Sequence, residues 1–131
     1  VLAFTDDDEA IFVWQYRHGT EALSLELPGG MVDANEQPMD AAHRELREET
    51  GYGVDHFTTL LTVHPNPALQ GNVQHTFLGY RARLVGEPKF DESEECEVAL
   101  VPRRDLAALV DEGHTTHALT TGAIDRFLRR G

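Results

Sequence analysis

The hydrophobic period of the chain breaks at Pro28-Gly29-Gly30, and that break limits the folds open to it. Upstream lie "VLAFT", "AIFVWQYR" and "ALSLEL", rich in β-branched and aromatic residues, which read as strands. The first two are joined by the acidic turn "DDDE" at 6–9 and pair with each other. Downstream, from Pro38 to Thr50, the pattern turns helical. Pro38 suits the first turn, Asp40 complements the helix dipole, and Gly51 is the stop. Met39, Ala42 and Leu46, at i, i+3 and i+7, form the apolar stripe of this helix. Strand-like segments return in "FTTLLTVHP", "VQHTFLGYRARLV" and "EVALVPRRDL", and the helical patterns "DLAALVDEG" and "TTHALTTGAIDRFLRR" close the chain. Strands divided by a helix and followed by helices predict a mixed α+β sandwich, with two helices packed against a mixed sheet.

The 131 residues suffice for one domain with a real core, and no repeat or Gly/Ser linker divides them. A single domain over 1–131 is expected; Val1 in place of Met leaves room for a segment upstream. No apolar run approaches the ~20 residues that span a bilayer. One cysteine, Cys96, makes no intrachain disulfide and points to a reducing, cytoplasmic setting. The formal net charge of −12 argues against a binder of nucleic acid or anionic membrane.

Within the helix, "RELREETG" (44–51) brings Glu45, Glu48 and Glu49 together at i, i+3 and i+4. Each like-charge pair at such spacing costs a few tenths of a kcal/mol on an isolated helix. Arg44 and Arg47 relieve part of that, and a divalent cation is the natural reason for the rest. Counted around the helix, Glu45 and Glu49 flank the apolar stripe and Glu48 lies further round. The carboxylates thus sit at the edge of the buried face, where a metal pocket can form.

The segment from Gly30 through Glu36, Arg44-Glu45-Leu46, Glu48-Glu49 and Gly51 resembles the Nudix box: Gly, five residues, Glu, seven residues, Arg-Glu-apolar, one residue, Glu-Glu, one residue, Gly. Every fixed position matches, and the one departure is Tyr52 where an aliphatic residue is usual. The resemblance implies an α/β/α sandwich with a mixed sheet and the Nudix loop-helix-loop. It implies hydrolysis of the pyrophosphate bond of a nucleoside diphosphate linked to another group. It also implies Mg²⁺ or Mn²⁺ held by Glu45, Glu48, Glu49 and the Gly30 carbonyl, with Glu48 and Glu49 catalytic and Glu36 paired with Arg44 to hold the loop on the helix. Oxygen donors suit these hard cations.

Further cues resemble the ADP-ribose pyrophosphatase branch: "WQYRHG" (14–19), "ELPGG" (26–30), Pro67 fifteen residues after Tyr52, and the acidic "FDESEECEV" (90–98). By this likeness Glu94 is the expected catalytic base, with Glu92 and Glu95 as neighbours able to take its place. Gln15 and Arg17 alternate to one strand face and are candidate substrate contacts, Arg17 to a phosphate or to adenine. Phe12, Trp14 and Tyr16 share the other face, for core or for the homodimer interface that the branch implies. His64, His75, His114 and His117 form no zinc pattern and read as capping, core or substrate-edge residues. ADP-ribose or a related nucleotide sugar is the leading substrate. A nucleoside triphosphate pyrophosphatase and a non-catalytic nucleotide-sensing module are the alternatives.

Overall fold

The computed structural model describes residues 1–89 and 97–130. Seven strands and three helices run in the order β1 (Leu2–Thr5), β2 (Glu9–Arg17), β3 (Ala22–Glu26), α1 (Pro38–Thr50), β4 (Tyr52–Gly53), β5 (Phe57–Val63), β6 (Gln74–Leu84), β7 (Glu97–Pro102), α2 (Leu106–Asp111) and α3 (Ala118–Leu128). Both closing segments are helical, so three helices replace the two expected against the sheet. A short 3₁₀ turn at Arg103–Asp105 leads into α2.

The sheet is mixed. β1 runs parallel to β6, with Leu2 opposite Leu78 and Ala3 opposite Gly79. β2 is antiparallel to β1, β3 and β7, and β6 is antiparallel to β4 and β5. The parallel pairing requires a long crossover between β1 and β6, and α1 lies within it.

Alternation along the central strands builds two apolar layers. Leu2, Phe4, Ala10, Phe12 and Leu78 point to the side packed by Leu106 of α2 and by Ala123 and Ile124 of α3. Ala3, Ile11, Phe77 and Ala82 point to the other side and meet Ala42 and Leu46 of α1 with Val54 and Phe57. Fully burying a side chain such as Leu46 or Phe12 contributes about 1.5–3 kcal/mol, so these layers hold the helices on both faces. The result is the α/β/α sandwich.

The helix α1 has the bounds its sequence signals predict. Pro38 opens it, and Gly51 closes it at φ 77°, donating its N–H to the Arg47 carbonyl at 2.8 Å. A Cβ at position 51 would stand 2.5 Å from the Gly86 carbonyl oxygen. One detail of the apolar faces differs from expectation. Met39, in the first turn, is exposed, and the buried set is Ala41, Ala42, Leu46, Glu49 and Thr50. On β2 the core reading holds for Phe12, which is fully buried, and in part for Trp14, which packs against the same core, while Tyr16 stays exposed. The strand outruns the helical layer, and the exposure of its aromatic face rises toward its end.

Candidate active site

The loop after β3 and the helix α1 are joined through one guanidinium. Arg44 Nε donates to Glu36 Oε2 at 2.9 Å, and Nη2 donates to Glu36 Oε1 at 3.0 Å and to the Met31 carbonyl at 3.1 Å. Its Nη1 donates to Glu45 at 2.9 Å and Glu48 at 3.3 Å, and Asp33 lies 3.5 Å away. The hydrogen bond from Arg44, with help from the Asp33 amide, holds the Glu36 carboxyl below its ordinary range. Arg44 is correspondingly driven upward, first by Glu36, against burial, and then by Glu45. Such fork-to-carboxylate bonds are strong and directional. They hold the loop on the helix.

The three box glutamates form a gradient of burial. Glu49 is buried and accepts the Gly29 N–H at 3.0 Å. Glu45 is mostly covered and Glu48 is the most exposed of the three. Gly30 lies directly against the Glu45 carboxylate, and a Cβ there would collide with it. Only glycine lets the loop backbone and that carboxylate come so close. Among the described residues no three His, Cys, Asp or Glu side chains converge on one point. Instead Arg44 lies against Glu45 and Glu48, and Glu49 reaches the Gly29 amide. The donors on offer, carboxylates and a backbone carbonyl in a glycine cradle, nonetheless have the chemistry that a hard cation takes.

One edge of this unit borders a cleft of about 440 Å³ between α1 and the start of α3. Gly30 and Glu45 line it together with Gln15, Arg17, Glu26, His75, Phe77 and His117. Both strand residues expected to face substrate therefore reach the same cavity. Arg17 is paired with Glu26, through Nε at 2.7 Å and Nη2 at 2.5 Å. Of the histidines, His75 and His117 line the cleft, whereas His114 sits near Glu112 and His64 is exposed. Glu94, with Glu92, Glu95 and Cys96, lies outside the described residues.

Glu26 was not among the candidate contacts drawn from sequence, and His117 was in view only as one of four histidines at capping, core or substrate-edge positions. Glu26 was in view as the first residue of "ELPGG", but its burial beside Arg17 depends on strand pairing. His117 comes from the far end of the chain, and no local pattern marks it.

The NUDIX domain model matches residues 1–120. The chain belongs to the Nudix family. The ADP-ribose pyrophosphatase of Bacillus subtilis (strain 168) is 34% identical over 125 residues, which are 95% of this chain and 68% of that protein. The CMP-5'-(N-acetyl-N-hydroxy-3-aminopropyl)phosphonate hydrolase of Streptomyces rubellomurinus is 35% identical over 116 residues, 87% of this chain and 56% of that one. An ADP-ribose pyrophosphatase of Mycobacterium tuberculosis is 30% identical, over 93% of this chain and 65% of its own. The chain thus spans between about half and two thirds of these relatives. The crystal structure of an ADP compounds hydrolase has the same fold, with a TM-score of 0.86 at 24% identity, over 97% of this chain and 68% of that one. These likenesses put the chain on the ADP-ribose pyrophosphatase side of the Nudix family. The Nudix box is then the Gly30–Gly51 unit just described, with Arg44 at its centre. Among the described residues no helix is long and apolar enough to cross a membrane.

Proposed function

We propose that the chain hydrolyses the diphosphate linkage of a nucleoside diphosphate joined to another group, with ADP-ribose or a closely related nucleotide sugar as substrate. One observation carries the reading: Gly30 and Glu45 of the Nudix box, which Arg44 ties to Glu36 and Glu48, line a cleft that Gln15 and Arg17 also line. About 440 Å³ lies in the range of small-molecule sites.

Glu45, Glu48, Glu49 and the Gly30 carbonyl would hold Mg²⁺ or Mn²⁺; such cations neutralise diphosphate oxygens and lower the pKa of a bound water. The chain's own groups do the positioning. Arg44 and Glu36 fix the loop, and Glu49 fixes the Gly29 amide, so that the Gly30 backbone keeps its place beside the Glu45 carboxylate. Gln15 and Arg17 contact the substrate from β2. Glu94 is the proposed general base, a role open to a carboxylate outside the metal set. With a net charge of −12, the protein repels an anionic substrate in bulk, so local cations must offset that field.

A phosphatase-coupled phosphate-release screen tests the substrate. Release from ADP-ribose above other diphosphate sugars, dinucleoside polyphosphates and nucleoside triphosphates is the expected order. Preference for triphosphates would favour a triphosphate pyrophosphatase, and no release from any compound would favour a sensing module.

The second element of the proposal is a homodimer. Its support is the edge strand β3, which pairs only with β2 among the described strands, and the exposed cross-strand pair Tyr16 and Leu23. Light scattering should give twice the chain mass at assay concentration; a monomer there and at tenfold higher concentration would exclude it.

A further inference from the structure

Glu26, at the end of β3, is only 2% exposed, and two other elements reach its carboxylate. Arg17 of β2 grips both oxygens, at 2.7 and 2.5 Å. His117, at the start of α3, brings Nε2 to 3.7 Å from Oε1. The other ring nitrogen, Nδ1, lies 2.9 Å from Thr120 Oγ1, and that hydroxyl accepts the Leu27 N–H at 3.2 Å. Where Thr120 gives its own proton to Nδ1, the imidazole proton stands on Nε2, facing Glu26. Both ring nitrogens are thus directed at protein groups, and the ring is a holder rather than a proton acceptor for substrate.

The chemistry of the Nudix box does not call on this cluster. Stability alone explains it poorly, because a buried ion pair is often no better than an apolar pair of the same volume. What the cluster provides is direction. A guanidinium held at two points keeps its plane and its reach, where a lone surface arginine samples many rotamers. Arg17, Glu26 and His117 all line the cleft.

We propose that Glu26 is a positioning residue for substrate: it fixes Arg17 as an oriented fork on the cleft wall, with His117, held by Thr120, standing beside that carboxylate at the start of α3. This rests on the reading of the cleft as a nucleotide-substrate site. The carboxylate is in its charged form for the purpose. Burial acts to raise its pKa, but the hydrogen bonds from Arg17 and Ser24 and the nearness of His117 prevail and lower it.

Steady-state kinetics on ADP-ribose with Mg²⁺ decide the matter. If Arg17 served only as a point charge, Glu26→Gln would leave more positive charge in the cleft and would lower KM for this anion. Positioning predicts the reverse. KM should rise about tenfold or more in Glu26→Gln, with kcat within about threefold of wild type. Arg17→Lys, which keeps the charge and loses the fork, should behave alike, and Glu26→Asp should fall between. Should Glu26→Gln fail to fold by circular dichroism, Arg17→Lys carries the test, because Arg17 is half exposed. An unchanged or lowered KM in the folded variants overturns the inference while the proposed activity stands. Absence of ADP-ribose turnover by the wild type overturns the proposed activity and this inference with it.

Discussion

Arg44 and the glutamates around it divide structural from chemical roles. Glu48 is the most exposed of the three box glutamates and takes the longest of Arg44's contacts to them, so Glu48→Gln should leave stability within about 0.5 kcal/mol of wild type. Turnover should nevertheless fall by about 10²-fold or more, since a ligand charge is gone. Glu49 carries both roles. Glu49→Gln should lose turnover comparably while its amide oxygen still accepts the Gly29 N–H. Glu49→Ala should in addition cost about 0.5–1.5 kcal/mol, the net worth of the lost, part-buried hydrogen bond from Gly29. Urea denaturation and kinetics at limiting Mg²⁺ check both; near-wild-type turnover in Glu48→Gln would remove that residue from the metal set. At this scale the box was legible because its spacing lies within one contiguous segment. The Arg17–Glu26–His117 cluster was not, because it is assembled from β2, β3 and α3 by packing.

Helix α1 shows why some elements can be read from sequence and others cannot. Its start and stop are local signals, Pro38 and Gly51, and the structure has both where expected. Met39 joined the expected stripe by period alone, and it stays exposed while Ala42 and Leu46 further along are buried. The two-residue strand β4 carries no period of its own and exists only through its pairing with Leu84 and Arg83 of β6. It begins at Tyr52, the position where the sequence departs from the Nudix box. Gly51 links the box to this strand, for its carbonyl accepts the Val85 N–H at 2.8 Å. Gly51→Ala should therefore destabilise by about 2 kcal/mol or more, from the left-handed backbone and the collision with the Gly86 carbonyl. A denaturation midpoint unchanged from wild type would show that the junction yields more easily than its geometry implies.

At the level of the whole molecule, the sandwich was legible from alternation and the order of elements, whereas the cleft was not, since it needs the crossover that brings β6 beside β1. The packing also makes stability depend on pH. Burial lowers the pKa of His117 from its ordinary 6.5, with Arg17 adding to that and Glu26 opposing it. Glu26 is held below its ordinary 4.5. Both folded values lie under the unfolded ones, so each group contributes stability that is present above its ordinary value and lost as pH falls through the folded one. Melting temperature should accordingly fall below about pH 6.5 through His117, and more steeply below 4.5 through Glu26. Arg17→Gln removes the main counter-charge of Glu26, so that variant should start lower at pH 7 and lose less on acidification. An acid loss as steep as that of the wild type would contradict the pairing.

The central claim is that this cleft splits a nucleotide-linked diphosphate. Its most direct test is identification of the products formed from ADP-ribose with Mg²⁺, by chromatography, for the wild type and Glu48→Gln. The predicted result is AMP and ribose 5-phosphate in equal amounts from the wild type, with a rate lower by about 10²-fold or more in the variant. Intact ADP-ribose, or cleavage to any other pair of products, would contradict it.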